Sequence, residues 1–527
     1  MIEFSDVTFA YARTVPERAA GVSHIDLAVP QGSCVLVCGP SGCGKTTLTR
    51  LANGLAPTFF PGALSGRVVI DGRDCAQMHS WEVALSVGSV FQNPRTQFFN
   101  VDSTGEVAFA LESCSTPEGE IRERVAETMD DLGIRHLADR NIFSLSGGEK
   151  QRIAFASVWT ARPTNLVLDE PTSNLDMAAI MDLRSYVARA KASGASVLVA
   201  EHRLWWLTGI ADEVVVMDGG RIVRRFSPQE FASLSAQEVA ALGLRAQSLA
   251  EVEAAAPVCG QGSSRAREAA KPRPGEPSQS EAEPRASEGY RAEAGLEVHG
   301  VRAGYRKREV LRGVDLSASA GEVIALVGRN GAGKSTLSRA ICGLAKSSGG
   351  CYRLFGEEAG ERERLARSSM VFQDVNYQLF ADSTAAEVVF GMGRDRARTV
   401  DAEGILSSLG LSDVADRHPA TLSGGQKQRL AVASCVAAGK DVLAFDEPTS
   451  GLDLASMRRV AGLIRRLAAE GRVVLVVTHD LEFIACACDR AIELSGGAVT
   501  GTYDVAGGLD DIRRALFAGT QFEGLGG

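Results

Sequence analysis

Two pairs of adjacent carboxylates are the residues of this sequence with the clearest potential for chemistry. Asp169-Glu170 and Asp446-Glu447 each follow a short apolar run and precede Pro-Thr-Ser and then Leu-Asp. A buried strand that ends in two acids can hold a magnesium ion with one carboxylate and polarise an attacking water with the other. Two acids at the end of a strand are often only the start of a solvated loop, but the repeated context favours a hydrolytic role.

Two histidines share the spacing of these acids. His202 and His479 lie 277 residues apart, the same offset that separates the two carboxylate pairs. Each follows an apolar run that predicts a strand, Ser196–Ala200 or Val473–Val477. A single histidine at the end of a strand is usually structural. The shared offset instead favours a role in sensing the terminal phosphate of a nucleotide.

Two glycine-rich loops have the composition of phosphate-binding segments. Both fit the pattern G-x-x-x-x-G-K-[ST], in which backbone amides wrap phosphate groups, the lysine neutralises them and the final hydroxyl reaches a magnesium ion. The predicted nucleotide-binding residues are Gly39, Pro40, Ser41, Gly42, Cys43, Gly44, Lys45, Thr46 and Thr47 in the first loop and Gly328, Arg329, Asn330, Gly331, Ala332, Gly333, Lys334, Ser335 and Thr336 in the second. The alternative is a glycine-rich turn with a solvated lysine.

The segments around both loops favour the phosphate-binding interpretation. Apolar runs at Cys34–Cys38 and Val323–Val327 predict strands before the loops. Helical patterns at Leu48–Leu55 and Leu337–Leu344 predict helices after them. A strand, a glycine-rich loop and a helix in this order are the context that such a loop requires.

A second pair of glycine-rich segments should open helices. Ser146-Gly147-Gly148 and Ser423-Gly424-Gly425 each precede helix-forming residues with an apolar face. The first amides of a helix are unpaired and attract anions, and glycine lets the backbone approach a ligand closely. We therefore interpret both segments as surfaces that face a phosphate.

Two glutamines and two tyrosines complete the set of candidates. Gln92 and Gln373 each follow a phenylalanine, and a neutral amide can contact magnesium and water without changing their charge. A Phe-Gln pair by itself carries almost no information. Tyr11 and Tyr305 precede the loop lysines and could stack on an adenine ring. A role in the hydrophobic core is the alternative for both tyrosines.

The elements that must position these residues occur twice in the same order. Strand-like alternation at Glu3–Phe9 and Val22–Val29 is repeated near Leu296 and Val314. Apolar runs alternate with helical patterns in both halves, which predicts an α/β core in each. The chain is thus an internal duplication of a domain of over 200 residues.

A proline-rich segment separates the two copies. Five prolines lie between Pro257 and Pro284 among Ser, Glu, Arg and Ala, with no helical period. This composition predicts a flexible tether. The predicted organisation is a first domain at 1–240, a linker at 241–294, a second domain at 295–515 and a short tail at 516–527.

Bulk properties exclude some classes of protein. A net charge of −9 argues against broad nucleic-acid binding. We expect no membrane-spanning segment, because no apolar run approaches the ~18 residues that a span needs, and no secretory signal at Met1. The 11 cysteines lack C-x-x-C pairs, which predicts reduced structural thiols rather than metal or redox chemistry.

The order of these motifs resembles that of ATP-binding cassette (ABC) ATPases. Both halves carry the family's Walker A loop, glutamine loop, LSGGE or LSGGQ signature, Walker B acids, Ser-x-Leu-Asp loop and switch histidine. The resemblance implies two tandem P-loop NTPase domains of the α/β class. Each would have a RecA-like core sheet, an antiparallel β subdomain and a helical signature subdomain. It also implies ATP hydrolysis with Mg²⁺.

In this family two such domains pair head to tail, with each ATP between one Walker A loop and the opposite signature. Site one would join Lys45, Asp169, Glu170 and His202 to Ser423, Gly424 and Gly425. Site two would join Lys334, Asp446, Glu447 and His479 to Ser146, Gly147 and Gly148. The resemblance implies catalytic roles for Glu170, His202, Glu447 and His479, and magnesium contacts for Thr46, Gln92, Asp169, Ser335, Gln373 and Asp446. Both sites keep every key residue, so we expect both to hydrolyse ATP. We also expect Cys43 to face nucleotide, so that ATP would block its alkylation, with Ala332 as the matching residue.

Within the family, the first half is similar to the ATPases of energy-coupling-factor (ECF) importers. The similarity lies in Phe-Gln-Asn-Pro-x-x-Gln at Phe91–Gln97, in Asn53-Gly-Leu, and in the segment from Phe59 to Gly66. The second half departs, because Val375 stands where proline is usual. Phe59-Phe60 could contact a membrane partner or could be an ordinary core or loop hydrophobe.

The ECF resemblance implies a transmembrane coupling subunit and a small substrate-binding membrane protein as partners. The ATPase would then lie at the cytoplasmic face of a bacterial cell membrane and energise the uptake of vitamins or transition-metal ions as part of a translocase. One alternative is a ribosome-associated ABC translation factor, whose linker is a long helical arm that the five prolines disfavour. The other is the ATPase of an exporter or of another importer class.

Overall fold

The computed structural model describes residues 1–12, 21–92, 97–173, 175–250, 252, 294–305 and 308–518. In the first half the strands are β1 (Ile2–Tyr11), β2 (Gly21–Val29), β3 (Cys34–Cys38), β4 (Gly62–Ile70), β5 (Arg73–Asp74), β6 (Val87–Val90), β7 (Asn165–Asp169), β8 (Ser196–Ala200), β9 (Glu213–Asp218) and β10 (Arg221–Phe226). Its helices are α1 (Lys45–Ala52), α2 (Leu55–Thr58), α3 (Ser80–Ser86), α4 (Ser103–Ser113), α5 (Glu118–Asp131), α6 (Gly147–Trp159), α7 (Met177–Ala192), α8 (Pro228–Ala232) and α9 (Ala236–Ala241).

The second half repeats this succession. Its strands are β11 (Ala294–Tyr305), β12 (Arg308–Ser319), β13 (Val323–Val327), β14 (Ser347–Leu354), β15 (Glu357–Glu358), β16 (Ser368–Val371), β17 (Val442–Asp446), β18 (Val473–Val477), β19 (Arg490–Ser495) and β20 (Ala498–Asp504). Its helices are α10 (Lys334–Ile341), α11 (Glu361–Arg367), α12 (Thr384–Val388), α13 (Arg394–Thr399), α14 (Ala402–Ser408), α15 (Gly424–Ala437), α16 (Leu454–Ala469), α17 (Leu481–Ala487) and α18 (Val505–Leu516).

Each half is built on a six-stranded, mainly parallel sheet. The strand order is β10-β9-β3-β8-β7-β6 in the first half and β20-β19-β13-β18-β17-β16 in the second. Only the outer pairs β9–β10 and β19–β20 are antiparallel. All five residues of β3 and all five of β13 are buried, as their uninterrupted apolar runs predict. The carboxyl ends of the parallel strands meet at one edge, where the predicted site residues follow.

A smaller antiparallel sheet and a helical subdomain accompany each core. The small sheets have the order β2-β1-β4-β5 and β12-β11-β14-β15. Helices α4, α5 and α6 pack together in the first half, and α12, α14 and α15 do so in the second. The predicted fold class, two tandem α/β domains with these three parts, is confirmed.

The helices after the glycine-rich loops differ from their predicted bounds. The predicted ranges are Leu48–Leu55 and Leu337–Leu344. Both helices instead begin at the loop lysine, three residues earlier than predicted, and also end three residues earlier. Apolar periodicity marks only the packed face of a helix, so it misses the polar first turn. Gly54 (φ 70°) and Gly343 (φ 72°) follow the helices in a left-handed conformation that ends them.

The structure also differs from the predicted linker at its first residues. Leu244, Arg245 and Gln247 are buried, and the Gln247 side-chain amide donates to the Leu234 carbonyl (2.8 Å). Leu244 and Gln247 pack on the first half, and the Arg245 side chain pairs with Asp480 and Glu482 of the second half, so this start of the predicted linker is packed. Residues 251 and 253–293 of the predicted linker lie outside the described residues. At the predicted tail, Leu516 and Phe517 are packed, and residues 519–527 lie outside the described part.

Candidate active sites

Both glycine-rich loops begin with a glycine that no other residue could replace without a shift of the backbone. Gly39 has φ 145°, and a Cβ there would lie 2.1 Å from the carbonyl oxygen of Met217. Gly328 has φ 128°, and a Cβ would lie 2.2 Å from the carbonyl oxygen of Leu494. Glycine therefore permits the close packing of each loop against the neighbouring strand of the core sheet.

The loop lysines are buried inside their own loops. Lys45 Nζ donates to the carbonyl oxygens of Gly39 (2.9 Å) and Pro40 (3.2 Å). Lys334 Nζ bonds the carbonyl oxygens of the equivalent residues of the second loop, Gly328 and Arg329. Burial lowers the pKa of Lys334, although nearby carboxylates oppose the shift. Each ammonium group is thus held where the loop amides would receive phosphates.

A hydroxyl and a carboxylate converge at the start of each loop helix. Thr46 Oγ1 donates to Asp169 Oδ1 (3.3 Å). In the second half burial raises the pKa of Asp446, and the Ser335 hydroxyl opposes that rise. Burial and then the charge of Glu170 raise the pKa of Asp169 to about 7, and a bound cation would oppose this rise. These hard oxygen donors fit Mg²⁺. The hydroxyl and the carboxylate supply only two of the oxygen ligands that Mg²⁺ takes, so a nucleotide and water would complete the set.

The second acid of each pair has an unusual backbone conformation. Glu170 has φ 44° and Glu447 has φ 51°, in the left-handed region that non-glycine residues rarely occupy. The sheet enforces it, because the amides donate to Ala200 O and Val477 O, both at 2.8 Å. Such strain is concentrated at functional sites, and here it aims each carboxylate at the histidine of the next strand.

The two carboxylate–histidine pairs differ in distance and in charge. Glu170 Oε1 lies 3.3 Å from His202 Nε2, and the corresponding distance from Glu447 to His479 is 3.6 Å. Burial alone would raise the pKa of Glu170, but His202 lowers it below its usual value. Burial raises the pKa of Glu447 to about 8. Burial, Lys334 and Arg203 together hold the pKa of His479 well below its usual value.

The two loop glutamines lie in different environments. Gln92 is half-buried, and its Nε2 donates to Glu170 Oε2 (2.6 Å). Gln373 is exposed and lines a cavity of about 530 Å³ together with Lys334, Asp446, Glu447 and other residues of the second loop. The predicted set therefore comes together in both halves, but the glutamine contacts the glutamate only in the first, among the described residues.

The signature segments open helices, as their glycines and serines predict. Ser146 caps α6 and Ser423 caps α15, each with a capping box to the residue at the third helical position. Gly424 lies against Gln92 of the other half, since a Cβ on this glycine would lie 3.8 Å from Gln92 Oε1. Ser146 and Gly148 line a cavity of about 400 Å³ with Asn330 and Gly331 of the second loop. The second phosphate loop thus faces the opposite signature, and in the first half Gln92 does so.

Two aspartates join the halves at these surfaces and were not among the predicted site residues. Asp453 Oδ2 accepts a hydrogen bond from the Ser41 amide (2.7 Å), and Asp176 Oδ2 accepts one from the Asn330 amide (3.0 Å). Each aspartate also caps the helix that follows it. The Leu-Asp that follows both carboxylate pairs is the signal that could have identified them.

The tyrosines are not equivalent. Tyr11 is half-buried, and its hydroxyl contacts Thr47 Oγ1 (3.2 Å) and accepts from Arg50 Nη1 (3.0 Å). Tyr305 is exposed and lines the cavity of site two, where its ring is available to a base. Stacking on adenine stays a prediction for both.

The structure places the Cys43 side chain in the core of its own half, contrary to the expectation that it faces nucleotide. Its thiol is buried in the core of the first half, within 3.8 Å of Lys45 Nζ, and burial raises its pKa. The loop curls so that the backbone faces outward and this side chain faces inward. Ala332 is buried at the matching position. The residue can still contribute its amide to a phosphate.

Comparisons with known proteins agree with this geometry. The ABC transporter family model matches residues 22–173 and 311–450, which include both loops and both carboxylate pairs. A protein of Treponema denticola provisionally named an ABC transporter ATP-binding protein is 42% identical, over 95% of this chain and 96% of its own length. A Bacillus subtilis protein provisionally named an HMP/thiamine import ATP-binding protein is 31% identical, over 89% of this chain and 86% of its own length.

Solved structures with two such domains share the fold. An archaeal ribosome recycling factor, aABCE1, aligns over 97% of this chain and 92% of its own with a TM-score of 0.59 and 20% identity. A chain described as RNase-L Inhibitor aligns over 97% of this chain and 93% of its own with a TM-score of 0.60 and 19% identity. Among the described residues, no helix is long and apolar enough to cross a membrane. Because the family model matches both halves and relatives align over nearly the whole chain, this chain belongs to the ABC transporter family and is an ATPase that binds ATP with Mg²⁺.

Proposed function

We propose that this ATPase energises a membrane importer of the energy-coupling-factor type and that it hydrolyses ATP at both site one and site two. The observation that carries the transport proposal is an apolar groove of about 470 Å³ beside the glutamine loop of the first half. It is lined by Asn53, Leu55, Phe59, Phe99 and Phe109, among others. Phe59 is 74% exposed and Phe99 is 73% exposed, and large exposed apolar side chains grouped in this way mark an interaction surface.

The second half carries a related surface. Phe99 stacks on Phe109 with ring centroids 4.8 Å apart, and Phe380 and Phe390 form a similar pair at 6.2 Å. Both pairs stand at the same distance along the chain from their loop glutamine. Two surfaces of one kind suit a partner that contacts both halves at once.

We infer that the occupant of the groove in the first half is a short helical segment of a transmembrane coupling subunit. Apolar grooves of this shape accept the apolar face of an amphipathic helix. The relative named for HMP/thiamine import supports an importer, and the ECF-like residues of the first groove, Asn53 and Phe59, lie on this surface. The chain would then bind the cytoplasmic face of the membrane, with a small substrate-binding membrane protein as the further partner. Vitamins or transition-metal ions are the proposed cargo.

The proposed mechanism uses residues that the structure brings together in site one. Lys45 and the loop amides hold the phosphates of ATP, with the opposite signature closing over them. Glu170 takes a proton from the attacking water, and His202 holds that carboxylate in place and contacts the terminal phosphate. Mg²⁺, held by Thr46 and Asp169, would neutralise charge on the phosphates. Gln92 links Glu170 to the groove, so that closure can move the bound helix.

A pull-down in mild detergent from the native cells, read by mass spectrometry, tests the proposal. We expect the wild-type chain to recover a coupling subunit and a small membrane protein. Phe59→Glu with Phe99→Glu should abolish that recovery while the ATPase activity of the isolated protein persists. Val223→Glu is the matched control, because Val223 is also exposed but lies on β10, outside the groove.

Other outcomes would replace the proposal. Recovery of ribosomes would favour a translation factor, and recovery of two large permease subunits would favour another transporter class. Unchanged recovery by the double glutamate variant would show that the groove is not the docking surface.

A further inference from the structure

A buried ion cluster joins the end of the first half to the loop that carries His479. Arg245 is 3% exposed, and its Nε donates to Glu482 Oε2 (2.8 Å) while its guanidinium also pairs with Asp480. The backbone amide of Ala246 donates to the other oxygen of Glu482 (2.9 Å). A guanidinium that bonds two carboxylates in a buried place fixes their positions closely.

Arg245 is anchored to the first half. The Gln247 side chain donates to the Leu234 carbonyl (2.8 Å), and Thr208 Oγ1 donates to the Gln247 carbonyl (3.1 Å). Leu244 is buried in the core. The ion cluster is therefore a contact between the two halves.

On the other side, the cluster belongs to the machinery of site two. We define Thr478–Glu482 as the switch loop of site two. Asp480 of this loop accepts a hydrogen bond from Thr449 Oγ1 (2.8 Å), which lies two residues after Glu447. Asp480 also caps α17 through the Phe483 amide (3.3 Å). The Asp480 carboxylate thus connects Arg245, the switch loop and the segment that follows Glu447.

The equivalent loop of the first half has different residues at the positions of Asp480 and Glu482. Along the 277-residue offset, Arg203 stands where the second half has Asp480, and Trp205 where it has Glu482. Thr172, the equivalent of Thr449, also bonds a carboxylate, but its partner is Glu201, the residue before the histidine. Trp205 packs edge-on against Phe517 from the end of the second half (5.8 Å). The counterpart of the Arg245 contact is therefore apolar.

Arg203 brings a further charge of the first half to the same place. It is buried, and its charge with that of Arg245 lowers the pKa of Asp480, which burial alone would raise. Buried ion pairs are costly to desolvate, and breaking one leaves an uncompensated charge. Both arginines belong to the first half, Arg203 on its equivalent loop after β8, and both place positive charge beside Asp480. This arrangement favours a role beyond packing.

We propose that Arg245 is a positioning residue that the first half supplies to site two, where it fixes the switch loop and thereby His479 relative to Glu447. Hydrolysis at site two then depends on an ionic contact in trans, whereas site one depends on the apolar contact of Trp205 with Phe517. The proposal rests on the assignment of site two as hydrolytic and is independent of which transporter the ATPase serves.

The test measures each site separately in the full-length protein. Glu170→Gln leaves turnover at site two, and Glu447→Gln leaves turnover at site one. In the Glu170→Gln background we expect Arg245→Gln to lower kcat by between about tenfold and a hundredfold, because a misplaced group at the reacting centre has that effect. The KM for ATP should change by less than about twofold, since the phosphate loop is untouched.

Three comparisons distinguish positioning from general destabilisation. In the Glu447→Gln background, Arg245→Gln should change kcat by less than about twofold. Arg245→Lys, which keeps the charge but can pair with only one acid well, should restore part of the activity of site two. Arg122→Gln makes the same chemical change at an exposed position of the first half and should affect neither site.

Hydrogen exchange provides a readout without turnover. In Arg245→Gln we expect faster exchange in the switch loop and the first turn of α17 than in wild type, with little change in β13. Equal losses of kcat in both backgrounds, or unchanged exchange in the switch loop, would overturn the proposal. If Glu170→Gln alone abolished all turnover, the assignment of independent sites would fail, and the exchange result would still decide the role of Arg245.

Discussion

Site one and site two contain the same motifs at the same spacing, yet their central residues have different surroundings. In site one, Gln92 and His202 both contact Glu170, and the pKa of this glutamate is lowered. In site two, Gln373 is exposed, and burial raises the pKa of Glu447 to about 8. Identical motifs thus define which residues meet, but not the charge that each of them carries.

Burial is the main cause of this difference. It raises the pKa of Glu447 and lowers the pKa of His479, and the charges of Lys334 and Arg203 add to the effect on His479. This imidazole therefore contributes little positive charge to Glu447. Because Arg203 comes from the first half, the surroundings of site two depend on both halves of the chain.

The largest expected effect tests whether both sites hydrolyse ATP. We expect Glu170→Gln and Glu447→Gln each to remove the turnover of one site, and the double variant to lose at least about 100-fold, because a general base contributes on that order. ATP binding should persist, since neither change touches the phosphate loops. Steady-state ATPase assays and fluorescent-nucleotide titration measure the two properties.

The two single variants are each other's control. Turnover unchanged by either one would contradict two competent sites. Loss of binding along with turnover would indicate a structural effect of the substitution instead.

The glutamines provide a sharper test of the same difference. Gln92→Ala removes a hydrogen bond to a carboxylate, so we expect turnover at site one to fall about tenfold when it is measured in the Glu447→Gln background. Gln373→Ala, measured in the Glu170→Gln background, should change turnover at site two by less than about threefold, because Gln373 is exposed. Equal losses would show that Gln373 also reaches Glu447 during turnover.

Much of this arrangement could be predicted from the sequence, because it depends on local patterns. The strands Cys34–Cys38 and Val323–Val327 have the predicted bounds, since a strand buried on both faces reads as one uninterrupted apolar run. The Leu-Asp motif could have identified Asp176 and Asp453, but not the amides that they contact, because those contacts depend on how the halves face each other. The bond between Thr172 and Glu201 could not be predicted either. In the second half the equivalent threonine bonds Asp480, which follows the histidine, whereas Glu201 precedes it.

The smallest expected effect concerns one of the differences between the two phosphate loops, Cys43 against Ala332. Because the Cys43 thiol is buried and its pKa is raised, alkylation at neutral pH should be at least about 100-fold slower than at the exposed Cys114 and Cys351, with or without ATP. Cys43→Ala should change the KM of site one for ATP by less than about twofold, because only the backbone of this residue faces the phosphates. Peptide mass spectrometry after timed alkylation resolves each thiol. Fast labelling of Cys43 that ATP suppresses would instead show that the first loop opens and exposes this thiol to solvent.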